Sequence, residues 1–206
     1  MNELRVNLNG SKNKEKEDNT VYEIIAAYRQ ATIHILNVGN NVKTISSKTN
    51  KMTQSELIIL NFTEIRRRSI KLWSGLPESY NDWKPDEKAM TAIEMVRHVL
   101  EADYGWNLII NNGSISNYQT PWKNRPFISV TDELKFAAPY RNTFLESIRQ
   151  FSDKELNEKE IIHPGNGEKK ILGKYLLRIG YHESVHAGQF LSYLRAMKIT
   201  LPEIWD

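Results

Sequence analysis

The chain has 206 residues, 40% of them hydrophobic and 26% charged, with a formal net charge of +3. That length suits one well-packed domain, and the composition excludes wholesale disorder. Cysteine is absent, which excludes disulfides, thiolate metal ligands and a cysteine nucleophile and fits a reducing compartment.

Residues 1–51 hold eight of the 28 Lys/Arg and five of the 25 Asp/Glu. The basic excess therefore belongs to this quarter, and the rest is balanced. Its first 20 residues are polar and charged and read as a disordered tail, with no apolar core of the signal-peptide kind. From Val21 an amphipathic stripe begins: Val21, Ile24, Tyr28, Ala31, Ile35 and Val38 recur at steps of three and four, the period of a short helix. Gly39-Asn40-Asn41 would stop it, and residues 41–51 read as a linker.

Four long helical segments follow. The first spans about Ser55 to Trp73, with Leu57, Leu60, Ile65, Ile70 and Leu72 available for burial, and ends at Gly75-Leu76-Pro77. It contains the one tight basic cluster, Arg66-Arg67-Arg68. Consecutive helical residues point in different directions, so the cluster reads as a solvated face, not the basic stripe that nucleic acid would require. The second spans about Thr91 to Asn111. Thr91 and Glu94 form a capping-box pattern, and Asn112-Gly113 closes the segment. A polar connection with Pro121 and Pro126 leads to the third, about Thr131 to Phe151, for which Thr131 or Asp132 is the expected cap. Ile161-Ile162 and Lys170-Ile171 then flank Pro164-Gly165-Asn166-Gly167, the signature of a short hairpin or extended loop. The fourth helix spans about Leu172 to Met197 with one strong apolar stripe, and Pro202 bars its continuation. The expected fold is an all-α four-helix bundle over residues 52–206, with residues 1–51 as an N-terminal extension. No run approaches the roughly 20 apolar residues of a membrane span. A soluble cytoplasmic protein with no membrane or nucleic-acid partner is expected.

The fourth helix carries YHESVHAGQ. His182 and His186 are four apart, so both rings project from one face, one turn apart. Ile179 and Phe190 flank them and place that face inward. His98 lies on the second helix in MVRHVLEAD. Met95 and Ala102, at helical spacing, predict that it also faces inward. Three imidazoles on facing helices could hold one divalent ion and leave coordination positions for water or substrate. Spacing alone leaves a competing reading open, in which each is a hydrogen-bonded core histidine. His34 and His163 fit less well, the first in the N-terminal segment and the second in the turn. A di-iron site is disfavoured, because Glu-x-x-His occurs only once, at Glu183 to His186. Gln189, one turn past His186, could support a ligand or contact substrate. Glu101, one turn past His98, reads as a solvated charge before it reads as a base. Tyr104, Trp106 and Tyr181 read as core residues before they read as a pocket lining.

DWKPDEKAMTAIEMVRHVLEAD and YHESVHAGQFLSYLRAMKITLPEIW resemble two segments of the DinB-like (DinB/YfiT) family. In the first, a Trp-x-Pro stretch leads into a helix bearing a ligand. In the second, His-x-x-x-His-x-Gly-Gln is followed by Leu-Arg and a proline. The resemblance covers about residues 52–206. It implies a four-helix bundle with His98, His182 and His186 as ligands of zinc, nickel or a similar ion. It implies nothing of the DNA polymerase that shares the DinB name. Family members with an assigned activity are largely thiol-dependent, including bacillithiol S-transferases and a mycothiol-dependent maleylpyruvate isomerase. The resemblance therefore implies a small-molecule substrate and a low-molecular-weight thiol whose pKa the metal lowers, and it is compatible with a homodimer. The alternatives are a metal-dependent hydrolase and a non-catalytic, metal-stabilised bundle acting in protein interaction. Residues 1–51 have no counterpart in the resemblance, so Met52 is a candidate internal start.

Overall fold

The computed structural model describes residues 51–205. The expected helix over Val21–Val38, and His34 with it, lie outside the described residues. Four long helices form the body: α1 (Gln54–Ser74), α2 (Ala92–Asn112), α3 (Val130–Arg149) and α5 (Leu172–Ala196). A single 3₁₀ turn, Glu78–Tyr80, lies between α1 and α2. The short α4 (Asp153–Glu158) and a hairpin of β1 (Glu160–Ile162) and β2 (Lys169–Ile171) join α3 to α5. Around the bundle the neighbours run α1–α5–α2–α3, and α3 closes back on α1. The four-helix bundle expected from the sequence is the fold observed.

Local chemistry sets the helix ends. Thr53 and Glu56 form a full capping box at α1, as Thr91 and Glu94 do at α2 and Ser152 and Glu155 do at α4. Each box satisfies backbone N–H groups that the first turn leaves without partners. The cap of α3 is Ser129, whose side chain accepts from the Asp132 N–H, rather than the expected Thr131 or Asp132. Gly113 closes α2 at φ 77°, a left-handed conformation in which a Cβ would be strained. The hairpin pairs Glu160 with Ile171 and Ile162 with Lys169, and the Ile162 N–H donates to the Gly113 carbonyl at 2.7 Å. At the start of α5, a Cβ on Gly173 would stand 2.7 Å from the Leu156 carbonyl oxygen, so glycine is what lets α4 sit against α5.

The core is two apolar clusters stacked along the bundle. One gathers around Ile70, Trp73, Val96, Leu100 and Phe190; the other gathers around Phe62, Ile110, Phe144 and Tyr175. Between them lies a buried belt of charge with one residue from each long helix. Arg66 lies between Phe62 and Ile70 on α1, and Asp103 between Leu100 and Ile109 on α2. Arg141 lies between Ala137 and Phe144 on α3, and Glu183 between Ile179 and Phe190 on α5. The Arg66 guanidinium grips Glu183 with two bonds, Nε to Oε1 at 2.7 Å and Nη2 to Oε2 at 3.1 Å. It also donates to Asp103 Oδ2 at 3.1 Å. Arg141 donates to Asp103 Oδ1 at 2.9 Å and to the Phe62 carbonyl at 2.8 Å. Two cations and two anions thus neutralise one another in a buried layer, the condition for keeping buried charge.

This belt corrects the reading of the basic run. Arg66 and Arg67 are buried, and only Arg68 is substantially exposed. Leu57 and Leu60 also depart from expectation: both are exposed, and Ile58, Ile59 and Phe62 take the buried positions. The inward stripe of α1 is rotated by about one residue from the one its leucines suggest, because the face that carries Arg66 is the one that meets α5 and α3.

Candidate metal centre

α2 and α5 pack against each other at the level of the charged belt, and this contact unites the three histidines. His182 Nε2 lies 3.3 Å from His98 Nε2 and 3.1 Å from His186 Nε2. The ring centroids are 4.5 to 5.2 Å apart. One nitrogen from each ring falls within 4.8 Å of the others, and among the described residues no carboxylate or further imidazole joins the group. His163 is elsewhere, in the hairpin turn, where its Nδ1 accepts from the Gly165 N–H.

The spacing fits an ion. Nitrogens held at about 2.0–2.1 Å from one tetrahedral centre stand roughly 3.3 Å apart. Three converging Nε2 atoms cannot all satisfy one another, because a neutral ring offers each neighbour either one N–H or one lone pair. A single cation can accept all three lone pairs. Beyond the three rings, the Gln189 amide is the polar side chain that acts on His186.

The predicted inward orientation is corrected in one respect. His98 is exposed, and His182 and His186 are only half-buried. The cluster sits at the rim of the bundle with one side open. Glu183, next to His182 in sequence, turns the other way into the belt and holds α5 from the inside. Burial alone would push its carboxyl up, but the Arg66 and Arg141 guanidiniums outweigh that and hold it below the usual range.

The surroundings favour neutral imidazoles. Burial and the His186 and His98 rings, with Arg178, push His182 down to about 4. Burial and His186 lower His98 against the pull of Glu101. Burial lowers His186 against the Gln189 amide and Glu183. Neutral rings are the metal-binding form. The sign for stability follows from the same shifts. In the unfolded chain these rings protonate near 6.5, above their folded values, so the unfolded state takes up protons first as pH falls. The metal-free protein is expected to lose stability as pH drops from about 6.5 towards 4, and His182→Gln is expected to flatten that loss. Urea midpoints across this interval provide the check; an unchanged slope in the variant would show that His182 does not titrate as described.

The walls come from the connection that the sequence presents only as polar. Trp122 is buried and its Nε1 donates to Glu133 at 3.0 Å. Arg97 pairs with the same carboxylate and donates to the Arg125 and Pro126 carbonyls at 2.7 and 2.8 Å. These contacts fasten residues 113–129 across α2 and α3 and bring the Tyr118 hydroxyl to Glu101, to which it donates at 3.1 Å. Burial and the Glu101 charge push Tyr118 up to about 12. Glu101 is thus hydrogen-bonded beside His98 and not simply solvated. Trp106 meets the His182 ring edge-on at 5.9 Å and forms a wall of the site. Tyr181, expected in the core, is 70% exposed. Gln189 is exposed.

A mostly helical four-helix bundle with a histidine cluster at the contact of its second and last long helices is the class these features define. The chain belongs to the DinB superfamily, whose family model matches residues 61–190. It is similar to the uncharacterized protein YjoA of Bacillus subtilis (strain 168), at 27% identity over 147 residues, covering 71% of this chain and 92% of that one. The crystal structure of YjoA, a DinB-like protein, aligns with a TM-score of 0.56 at 25% identity, over 72% of this chain and 96% of that chain. YfiT from Bacillus subtilis, described as a probable metal-dependent hydrolase with an unusual four-helix bundle topology, aligns with the same TM-score at 15% identity, over 77% and 94% of the two chains. At that identity the likeness to YfiT is one of fold. No helix among the described residues is long and apolar enough to cross a membrane.

Proposed function

We propose that residues 52–206 form a metal-dependent enzyme unit in which His98, His182 and His186 bind one divalent transition metal, zinc or nickel, and that its reaction is thiol-dependent S-transfer to a small electrophile. The observation that carries the reading is the convergence of three ring nitrogens within 4.8 Å, with His182 Nε2 at 3.3 and 3.1 Å from the other two, close to the spacing a single ion imposes. When bound, the metal supplies Lewis acidity that lowers the pKa of a thiol or water and makes it nucleophilic at neutral pH. The thiol would come from a separate small molecule, since the chain has no cysteine.

The protein's own groups divide the remaining work. Glu183, tied to Arg66, fixes the rotation of α5, so His182 and His186 face α2. Trp106 gives a flat apolar surface against which a substrate can lie and limits water on that side. Glu101, beside His98 and hydrogen-bonded to Tyr118, is placed to take or hold a proton from an incoming thiol. The open side of the cluster favours catalysis over a purely structural ion, because a structural site is closed by a fourth protein ligand.

A hydrolase is the second reading, favoured by the description of YfiT and by the same open side. A homodimer fits each of these readings through the family resemblance, and a cytoplasmic location is proposed from the cysteine-free composition.

The test is turnover by metal-loaded protein of a chromogenic electrophile with and without added low-molecular-weight thiol, alongside ester and amide substrates without thiol. Thiol-dependent turnover abolished by chelation supports S-transfer. Thiol-independent cleavage moves the assignment to a hydrolase. Metal at one equivalent with no turnover in either arm moves it to a structural ion.

A further inference from the structure

Arg178 is the charged group at the histidine cluster that the preceding roles leave unused. It lies on α5 four residues before His182, so it projects from the same face about one turn, or roughly 5.4 Å, away. Its guanidinium is 6.0 Å from the Trp106 ring centroid and 6.0 Å from that of Tyr175. It is near enough for its charge to act on the His182 ring. Its side chain is exposed, and among the described residues it makes no ion pair.

The other charges nearby are already matched. Glu183 is gripped by Arg66, and Glu101 accepts from Tyr118. Three neutral imidazoles would leave the charge of a bound ion uncancelled. The open mouth then combines a divalent cation with a guanidinium one turn away, against a flat aromatic wall. A planar guanidinium with free N–H donors matches a carboxylate better than any neutral group.

Resting on the metal reading above, we propose that the molecule bound at this centre carries a carboxylate seated on Arg178, about one helical turn from the atom that meets the metal. The bound species would be a short bifunctional ligand, a metal-binding head two or three bonds from an anionic tail. Trp106 would lie along its backbone.

The test uses full-length protein loaded with Co²⁺, whose visible spectrum reports both the metal and a coordinating sulfur. Wild type, Arg178→Gln and Arg178→Lys are titrated with 3-mercaptopropionate, which carries the anionic tail, and with 2-mercaptoethanol, which does not. Arg178→Gln is expected to weaken mercaptopropionate binding by about tenfold, the scale of one charge-assisted hydrogen-bonded pair. Mercaptoethanol binding should change by less than about twofold, and Arg178→Lys should recover part of the loss. Equal effects on the two thiols, or no effect on either, would overturn the proposal. If wild type fails to take up Co²⁺ at all, the metal reading itself fails, and the two failures are told apart by the cobalt spectrum before any thiol is added.

Discussion

Replacing His182 and His186 together by alanine is expected to abolish stoichiometric metal binding and leave the bundle folded. Two of the three converging nitrogens would go, and the remaining one, on His98, is exposed and belongs to no other ligand group of three among the described residues. Loss of even an outer hydrogen-bond partner typically costs a metal site 10–100-fold in affinity, so losing two direct ligands should cost well over about 100-fold. The fold should survive because neither ring lies in the two apolar clusters; removing them should change metal-free stability by about 1 kcal/mol or less. Linkage makes the same prediction measurable by heat. At a metal concentration about 100 times the dissociation constant, binding stabilises the folded state by about 2.7 kcal/mol. In a domain of this size that corresponds to a rise in melting temperature of roughly 5–10 °C. The wild type should show that rise, and the double variant should not. Equal metal content in the two proteins, by elemental analysis after purification without added metal, would sink the ligand assignment.

Arg66→Met should destabilise the protein by about 3–5 kcal/mol, the cost of removing one partner from a buried ion network. The reason is what it leaves behind. Glu183 and Asp103 are 6% and 2% exposed, and Arg66 bonds to both. Methionine fills a similar volume, so the loss would report charge rather than a cavity. The comparison is Arg68→Met, two residues along the same helix. Arg68 is paired with the partly exposed Glu64 at 3.4 Å and donates to the Ile204 carbonyl. Its loss should cost about 1 kcal/mol, because exposed pairs contribute little. Guanidinium chloride midpoints of the two variants provide the measurement. Equal midpoints would mean that the belt contributes no more than a surface pair. Arg66→Met should also weaken metal binding, since Glu183 then no longer fixes the face of α5 that bears His182 and His186.

The sequence by itself determined the fold class and the candidate ligands. Helical periodicity marked four segments, and the Thr91–Glu94 capping box and Gly113 stop fell where the pattern put them, since a cap depends on residues within one turn of each other. The i,i+4 spacing of His182 and His186 is a property of one helix and was legible for the same reason. The pairing of His98 with them was legible as a resemblance, because 84 residues separate it from His182 and only the packing of α2 on α5 brings them together. What the tertiary structure alone decided was which way each charged residue faces. Arg66, Asp103, Arg141 and Glu183 each interrupt an apolar stripe, a signal present in the sequence, but a single stripe cannot say whether its charge meets water or an opposite charge on another helix. The answer depends on four helices meeting at one level, where the two arginines and two acids cancel. The same packing turned the histidines from the interior they were expected to occupy to an open rim. The belt occupies the middle of the bundle, so the face beside it, not the core itself, is where three imidazoles can meet both an ion and a substrate.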